Sequence, residues 1–169
     1  MRRILVLFAC GLVLWTVVTQ LNHSLAPLHV YLFAGALFVT FAALTQPLTS
    51  GLLASLANGL VFDATTPVAF GTHFILFGLT HVFVYRVRER VPQQDTLSRI
   101  AITVIANLAL FLVFTFVAFI RTPGAAAAWP RLFVDLIASQ LFLVAATPWF
   151  FALQARALVL ARRERPTFA

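Results

Sequence analysis

Six long apolar stretches alternate along the chain with short segments that hold most of its polar residues. The stretches cover residues 4–21, 28–44, 48–62, 68–87, 100–120 and 132–160. A transmembrane helix needs about 20 mostly apolar residues, within a range of about 17–25. Only 48–62 is short for a span. The pattern predicts a single all-α membrane domain over residues 1–169, with about six transmembrane helices.

Composition supports the membrane assignment. Hydrophobic residues make up 62% of the chain and charged residues 10%, and the mean hydropathy is +0.97. An ordinary soluble domain has about 45–50% apolar and about 25% charged residues. So few polar groups cannot cover the surface of a water-soluble globule, and this excludes that class of protein.

The positive charges predict an orientation. All 12 basic residues are arginine, and the net charge is +7. With six spans, ten arginines fall on one side of the membrane and two, Arg121 and Arg131, on the other. The positive-inside rule then places both termini in the cytoplasm. The same bias requires an even number of spans before Arg86, which supports the short stretch 48–62. Because the arginines flank apolar stretches, nucleic-acid binding is not indicated.

Small residues recur along the third and fourth spans at helical spacing. Four residues are slightly more than one helical turn, so side chains at this spacing form a narrow stripe. Small residues in such a stripe let two membrane helices approach closely. We therefore expect the two helices to pack face to face, joined by a tight turn over Asp63–Pro67. The stripes are Gly51, Ser55, Gly59 and Asp63 on the third span, and Gly71, Phe74, Gly78, His81 and Tyr85 on the fourth.

Asp63 has three interpretations. A carboxylate at mid-bilayer costs on the order of 3 kcal/mol on insertion scales, but at the end of a helix it can accept hydrogen bonds from backbone N–H groups. Capping of the fourth helix, or fixing of the turn, is the first interpretation. Contact with a partner protein is the second, and transport of a proton or another ion is the third.

The last two spans carry a second set of polar residues with two interpretations. Hydrogen bonding between helices is one, and a small polar cavity lined by these side chains is the other. Arg131 and Asp135, four residues apart, are also expected to form an ion pair. The set comprises Thr103, Asn107, Thr115, Asp135, Ser139 and Thr147.

No motif for catalysis or cofactor binding is present. His73 and His81 are eight residues apart, whereas paired zinc ligands on a helix usually lie three or four apart. No Gly-x-Ser-x-Gly element, His-Glu-x-x-His helix or phosphate-binding glycine loop occurs. The sequence thus favours a non-catalytic protein without a metal or cofactor.

Residues 51–90 resemble one bacterial family. Gly59-x-x-x-Asp63 is followed by a short turn with Pro67, by Gly71-x-His73 and by an apolar stretch that ends in the basic segment 86–90. This order is similar to that of the rod-shape-determining MreD family, which has a Gly-Leu-Leu-x-Asp element, a Pro-containing turn, Gly-Leu-His and a basic cytoplasmic loop. Two departures are Thr65-Thr66 in the turn and Thr72 between the glycine and the histidine.

The resemblance implies a scaffold in the bacterial inner membrane. It implies binding to MreC and membership of the cell-wall elongation complex with MreB, a transglycosylase and a transpeptidase, and hence a role in rod shape and peptidoglycan synthesis. The residues expected to bind a partner or hold the structural motif are Gly51, Ser55, Gly59, Asp63, Pro67, Gly71, His73, Gly78 and His81. A cytoplasmic basic loop, able to attract anionic lipid or acidic partners, contains Arg86, Arg88, Arg90 and Arg99.

A different class of function fits the same number of spans. The MreD family is thought to resemble the six-helix, substrate-capturing subunits of vitamin transporters. A capture protein needs several polar groups that converge on a pocket, and the expected outer loops contain few. The transporter subunit is therefore the alternative to the scaffold.

Overall fold

The computed structural model describes residues 1–66, 68–90, 95–121 and 129–163. It is all-helical over these residues, with short 3-10 turns at Ala26–Leu28 and Arg88–Arg90. The six α-helices are α1 (Arg2–Leu25), α2 (Leu37–Thr45), α3 (Leu48–Thr65), α4 (Thr72–Val87), α5 (Thr96–Arg121) and α6 (Trp129–Arg163).

Three of the helices, α1, α5 and α6, are long and apolar enough to cross a membrane. Large apolar side chains are exposed along the bundle, among them Leu79 at 62%, Phe83 at 68% and Phe116 at 66%. Lipid solvates such side chains, whereas water does not. The fold is therefore that of an α-helical membrane protein.

Helix α2 is the centre of the bundle. All residues from Leu37 to Leu44 are buried, and the helix contacts α3, α4, α5 and α6. A helix that is apolar on every side is either surrounded by protein or exposed to lipid, and α2 is surrounded by protein. Its Phe38 packs edge to face on Phe62 of α3, and its Phe41 on Phe151 of α6.

The prediction of one continuous second span over 28–44 is wrong. The helix covers only Leu37–Thr45, and residues 30–34 have no regular secondary structure although Leu32, Phe33 and Ala34 are buried. Hydropathy predicted the burial of these residues correctly but not their conformation. They are not helical because backbone groups of Leu32 and Phe33 bond to side chains of other helices and not to backbone groups one turn away. We call residues 30–36 the extended segment.

Smaller differences affect the ends of the other helices. α3 continues to Thr65, so that Asp63 lies in its last turn instead of in the following loop. α4 begins at Thr72 and not at Val68. α5 begins four residues before the predicted start at Ile100, and α6 extends the predicted span 132–160 at both ends.

Basic residues gather at one end of the bundle, which we call the arginine end. There Arg2 donates a hydrogen bond to the carbonyl of Ala161, and Arg88 donates one to the carbonyl of Gln46, between α2 and α3. Asn22, the extended segment, Asp63, His73 and Asp135 lie at the other end, which we call the opposite end.

Candidate functional site

Gly59 of α3 lies directly against the backbone of α4. A Cβ atom placed on it would lie 2.8 Å from the Cα of Phe74 and 3.0 Å from the carbonyl oxygen of His73. Both obstacles are backbone atoms of α4, which cannot turn aside as a side chain can. The predicted close packing of these helices is therefore confirmed.

The same contact continues toward the arginine end. Ser55 Oγ of α3 bonds to His81 Nδ1 of α4 at 2.9 Å, and both residues are fully buried. A Cβ atom on Gly51 would lie 2.6 Å from the ring of His81, so the glycine makes room for the imidazole. Tyr85 stacks on the same ring at 6.4 Å between ring centres, and Arg88 lies 3.8 Å over the tyrosine ring centre.

The other two glycines of the fourth span have different roles. Gly78 receives the Leu56 side chain of α3, whose Cδ2 would lie 2.9 Å from an added Cβ. Gly71 does not belong to the packing stripe, contrary to prediction, since apart from its chain neighbours no atom of the described residues lies within 4 Å of a Cβ built on it. It precedes α4 with φ of +94°, a backbone conformation that side chains with a Cβ disfavour. Pro67 lies outside the described residues.

Asp63 caps α4 from the neighbouring helix. Its Oδ1 accepts hydrogen bonds from the backbone N–H of His73 at 2.8 Å and from the ring nitrogen Nδ1 of the same residue at 2.9 Å. Its Oδ2 accepts the N–H of Phe74 at 3.0 Å. These N–H groups belong to the first turn of a helix, where no intrahelical partner exists. The predicted capping role is confirmed, and only 5% of the residue is exposed.

The pairing of His73 with Asp63 was not predicted from the histidine spacing. The ring of His73 also stacks on Phe114 of α5 at 4.3 Å and lies against Phe62 and Phe77. His73 therefore connects the α3–α4 pair to α5. A signal existed in the sequence, since Asp63 and His73 flank one short connection.

The extended segment is held by polar side chains from three helices. Asn22 of α1 brackets Leu32, accepting its N–H at 2.7 Å and donating to its carbonyl at 3.0 Å. Asn107 of α5 accepts the N–H of Ala36 and donates to the carbonyl of Phe33. Buried backbone without such partners costs several kcal/mol per group in a bilayer.

Two residues of α6 complete this network. Asp135 Oδ1 accepts the N–H of Tyr31 at 2.8 Å, and Ser139 Oγ accepts the N–H of Phe33 at 2.9 Å. Within the described residues Asp135 forms no ion pair with Arg131, so that prediction is wrong. Among the other polar residues noted on the last two spans, Thr103 of α5 also bonds to another helix. Its hydroxyl donates to the hydroxyl oxygen of Thr40 on α2 at 3.1 Å.

Two cavities flank the extended segment at the opposite end. The larger has a volume of about 270 Å³ and lies between the extended segment, α4, α5 and α6. The smaller, about 160 Å³, lies on the α1 side and shares Tyr31, Phe33, Phe62 and Thr66 with it. The prediction of a small polar cavity is met in part, since Thr115 and Asp135 line the larger one, together with Phe111, Phe114, His73 and Leu132.

The arginines of the predicted basic loop differ in their surroundings. Arg88 is used by the fold, through Tyr85 and Gln46, whereas Arg86 and Arg90 are exposed. Among the described residues no group of three His, Cys, Asp or Glu side chains could hold a metal ion.

Comparisons with protein-family models, with curated proteins and with solved structures give no match to this chain. The fold and the site therefore stand on their own geometry, and the resemblance to the MreD family stands on residues 51–90 of the sequence.

Proposed function

We propose that the protein is a non-catalytic membrane scaffold of the MreD type, which binds MreC and helps to hold the cell-wall elongation machinery in a rod-shaped bacterium. The observation that carries the proposal is the contact of Gly59 with the backbone of Phe74 and His73. The motif residues of the resemblance thus build one rigid pair of helices. A rigid surface suits the recognition of a partner.

The polar groups of the motif support a structural role over chemistry. Asp63, His73, Ser55 and His81 bond to one another or to backbone inside the α3–α4 pair. The Ser55 hydroxyl does bond to the His81 imidazole, as a nucleophile bonds to its base in nucleophilic catalysis. Both residues are fully buried between α3 and α4, so a substrate cannot reach the hydroxyl in this arrangement. The outer face of α4 remains apolar, with Ile75, Leu79 and Phe83 exposed, which suits a transmembrane helix of a bitopic partner.

The proposed topology has six crossings in the bacterial inner membrane, with the arginine end and both termini in the cytoplasm. The second crossing combines two conformations. Nine helical residues of α2 rise about 14 Å at 1.5 Å per residue, and residues 30–34, which are not helical, add at most about 16 Å at about 3.3 Å per residue. The sum matches a hydrocarbon core about 30 Å thick.

On this topology the basic segment faces cytoplasmic partners and anionic lipid. Arg86 and Arg90 are exposed there, and each basic residue near an anionic leaflet contributes about 1 kcal/mol to attraction. MreB, a transglycosylase and a transpeptidase are the further members of the proposed complex.

Co-purification with MreC tests the scaffold. Gly59→Leu places a side chain against the α4 backbone, and overpacking of this kind typically costs about 1–3 kcal/mol. We expect the variant to retain less than about a tenth of the MreC that the wild-type protein retains at equal membrane level, since about 1.4 kcal/mol is a tenfold change.

Gly78→Ala is the matched control. Its added methyl group meets the ends of two flexible side chains and no backbone, with Leu56 Cδ2 at 2.9 Å and Leu52 Cδ1 at 4.0 Å, so we expect MreC binding to be unchanged. If Gly59→Leu retains MreC as well as Gly78→Ala does, then the close helix contact does not carry partner binding.

A substrate-capturing subunit of a small-molecule transporter is the second candidate. The observation that favours it is the larger cavity, whose wall contains Asp135, Tyr31 and Thr115. Several polar groups that converge on an apolar pocket are typical of a ligand site. Loss of uptake of a vitamin-type solute from cells lacking the protein, with MreC co-purification unaffected, would favour this function over the scaffold.

A further inference from the structure

We propose that the larger cavity at the opposite end binds a small organic ammonium ion, held by the carboxylate of Asp135 and by the surrounding phenylalanine rings. The cavity occupies about 270 Å³ between the extended segment, α4, α5 and α6. This site stands apart from the scaffold function, because a loss of MreC binding and a loss of ammonium binding are separate measurements.

The carboxylate of Asp135 is buried, and one of its two oxygens accepts a hydrogen bond from the described residues. Asp135 is 6% exposed, and its Oδ1 accepts the N–H of Tyr31 at 2.8 Å. Its Oδ2 has no hydrogen-bond partner over the described part of the chain, and the residue lines the cavity. A buried carboxylate is costly unless a proton, a hydrogen-bond donor or a cation compensates it. Arg131, one turn earlier on α6, is exposed and forms no ion pair with it.

The residues that line the cavity favour an organic ammonium ion over a metal ion. Phe33 packs edge to face on Phe111 at 6.1 Å and on Phe114 at 5.4 Å between ring centres, and Phe62 completes the aromatic lining. Aromatic rings attract ammonium groups, and quaternary ammonium ligands are the best-known case. A metal cation such as Ca²⁺ takes six to eight oxygen ligands, far more than one carboxylate and two threonine hydroxyls supply.

The volume indicates a small ligand. Pockets for drug-sized molecules measure about 300–1,000 Å³, so this cavity lies just below that range. Thr66 and Thr115 on the wall offer hydroxyl groups to a polar substituent of the ligand. A trimethylammonium or primary ammonium group with a short hydroxylated tail matches these features, either as a free solute or as the head group of a lipid.

Choline binding to the purified full-length protein in detergent tests the site by calorimetry. We expect saturable binding that is at least about tenfold tighter than that of its neutral isostere, in which a tert-butyl group replaces the trimethylammonium group. Equal affinity for the two compounds, or no saturable binding of choline, would overturn the proposal.

Asp135→Asn keeps an oxygen that can accept the N–H of Tyr31 but removes the charge, so we expect choline affinity to fall at least tenfold while that of the isostere is unchanged. Phe114→Leu is the second variant, and it should weaken choline several-fold through the lost ring. Asp95→Asn is the matched control, since it removes one carboxylate outside the cavity, and it should bind choline normally. Wild-type choline affinity in both Asp135→Asn and Phe114→Leu would refute the site.

Reconstitution into nanodiscs separates the two sources of the ammonium group. If a lipid head group fills the cavity, choline affinity should be lower in phosphatidylethanolamine than in phosphatidylglycerol. Equal affinity in the two lipids would assign the site to a free ammonium solute. In either lipid, Asp135→Asn must remove the preference for choline over its neutral isostere. If this preference persists in the variant, the site is contradicted.

Discussion

Asp63 joins two helices through a single carboxylate. It lies in the last turn of α3, and both of its oxygens accept N–H groups at the start of α4. The ring of His73 adds a third bond to the same carboxylate. A charged acceptor strengthens each of these bonds relative to a neutral one, so the residue fixes the position of α4 along α3.

Replacement of this carboxylate should destabilise the protein. Asp63→Ala leaves the N–H groups of His73 and Phe74 without their acceptor, and a buried donor without a partner costs about 1–3 kcal/mol. For the two donors together we expect a loss of roughly 2–6 kcal/mol, observed as a lower thermal midpoint in detergent.

Asp95→Ala is the matched control, because Asp95 also caps a helix but is exposed at the start of α5. We expect its effect to be the smaller of the two, and an equal or larger effect would contradict the role assigned to Asp63.

The N–H of Leu97 and the side chain of Ser98 hold the pKa of the Asp95 carboxyl below its ordinary value of 3.8. Its contribution is therefore present above pH 3.8 and is lost as the pH falls through the lowered folded-state pKa.

At the scale of elements, the unusual feature is irregular backbone inside a helical membrane bundle. Non-helical backbone at membrane depth occurs only where protein buries it or where it lines a cavity. The extended segment meets both conditions, since Asn22, Asn107, Asp135 and Ser139 bond to its backbone and two cavities flank it. Four side chains thus supply hydrogen bonds to backbone groups that would bond within a helix if this segment were helical.

Asn107 should be the most sensitive of these side chains. Asn107→Leu keeps the branched shape of the side chain but leaves the N–H of Ala36 and the carbonyl of Phe33 unpaired. We expect amide hydrogen exchange in residues 33–36 to accelerate and the thermal midpoint to fall, since local opening no longer breaks these bonds. Thr115→Val, two turns later on α5, is the control and should leave both unchanged. Exchange in Asn107→Leu at the wild-type rate would show that the segment is held by packing alone.

For the whole molecule, charge separates the two ends of the bundle. Arg2, Arg88 and the last turns of α6 meet at the arginine end, and the cavities and the Asp63–His73 pair lie at the opposite end. On the proposed topology, any ligand of the larger cavity approaches from outside the cytoplasm, while cytoplasmic partners meet the arginines.

Thiol labelling tests this orientation. In a Cys10→Ala background, which removes the single and buried native cysteine, Ser24→Cys should react with an impermeant maleimide in intact cells. Glu89→Cys, exposed at the arginine end, should react only after permeabilisation. The reverse pattern would invert the proposed topology and would place the cavities on the cytoplasmic side.

Hydropathy and spacing by themselves determined the six helices of the described residues, except that the second and the fourth helix begin later in the sequence than predicted. They also determined the α3–α4 contact, because helical periodicity places Gly51, Ser55 and Gly59 on one face whatever surrounds it. The position of Asp63 between two apolar stretches predicted a helix cap as one of three roles, and the hydrogen bonds of the structure identify the cap. Each of these features depends on residues that are near one another in the sequence.

Only the tertiary structure decided the conformation of residues 30–36 and the existence of the cavities. Leu32, Phe33 and Ala34 are as apolar as a helix interior requires, but the backbone of Leu32 and Phe33 bonds to side chains of three other helices, Asn22, Asn107 and Ser139. A backbone group bonds to whichever partner the assembled bundle brings within reach. The local sequence does not show whether a backbone group bonds within its own helix or to a distant side chain. The choice depends on which groups the assembled bundle brings together.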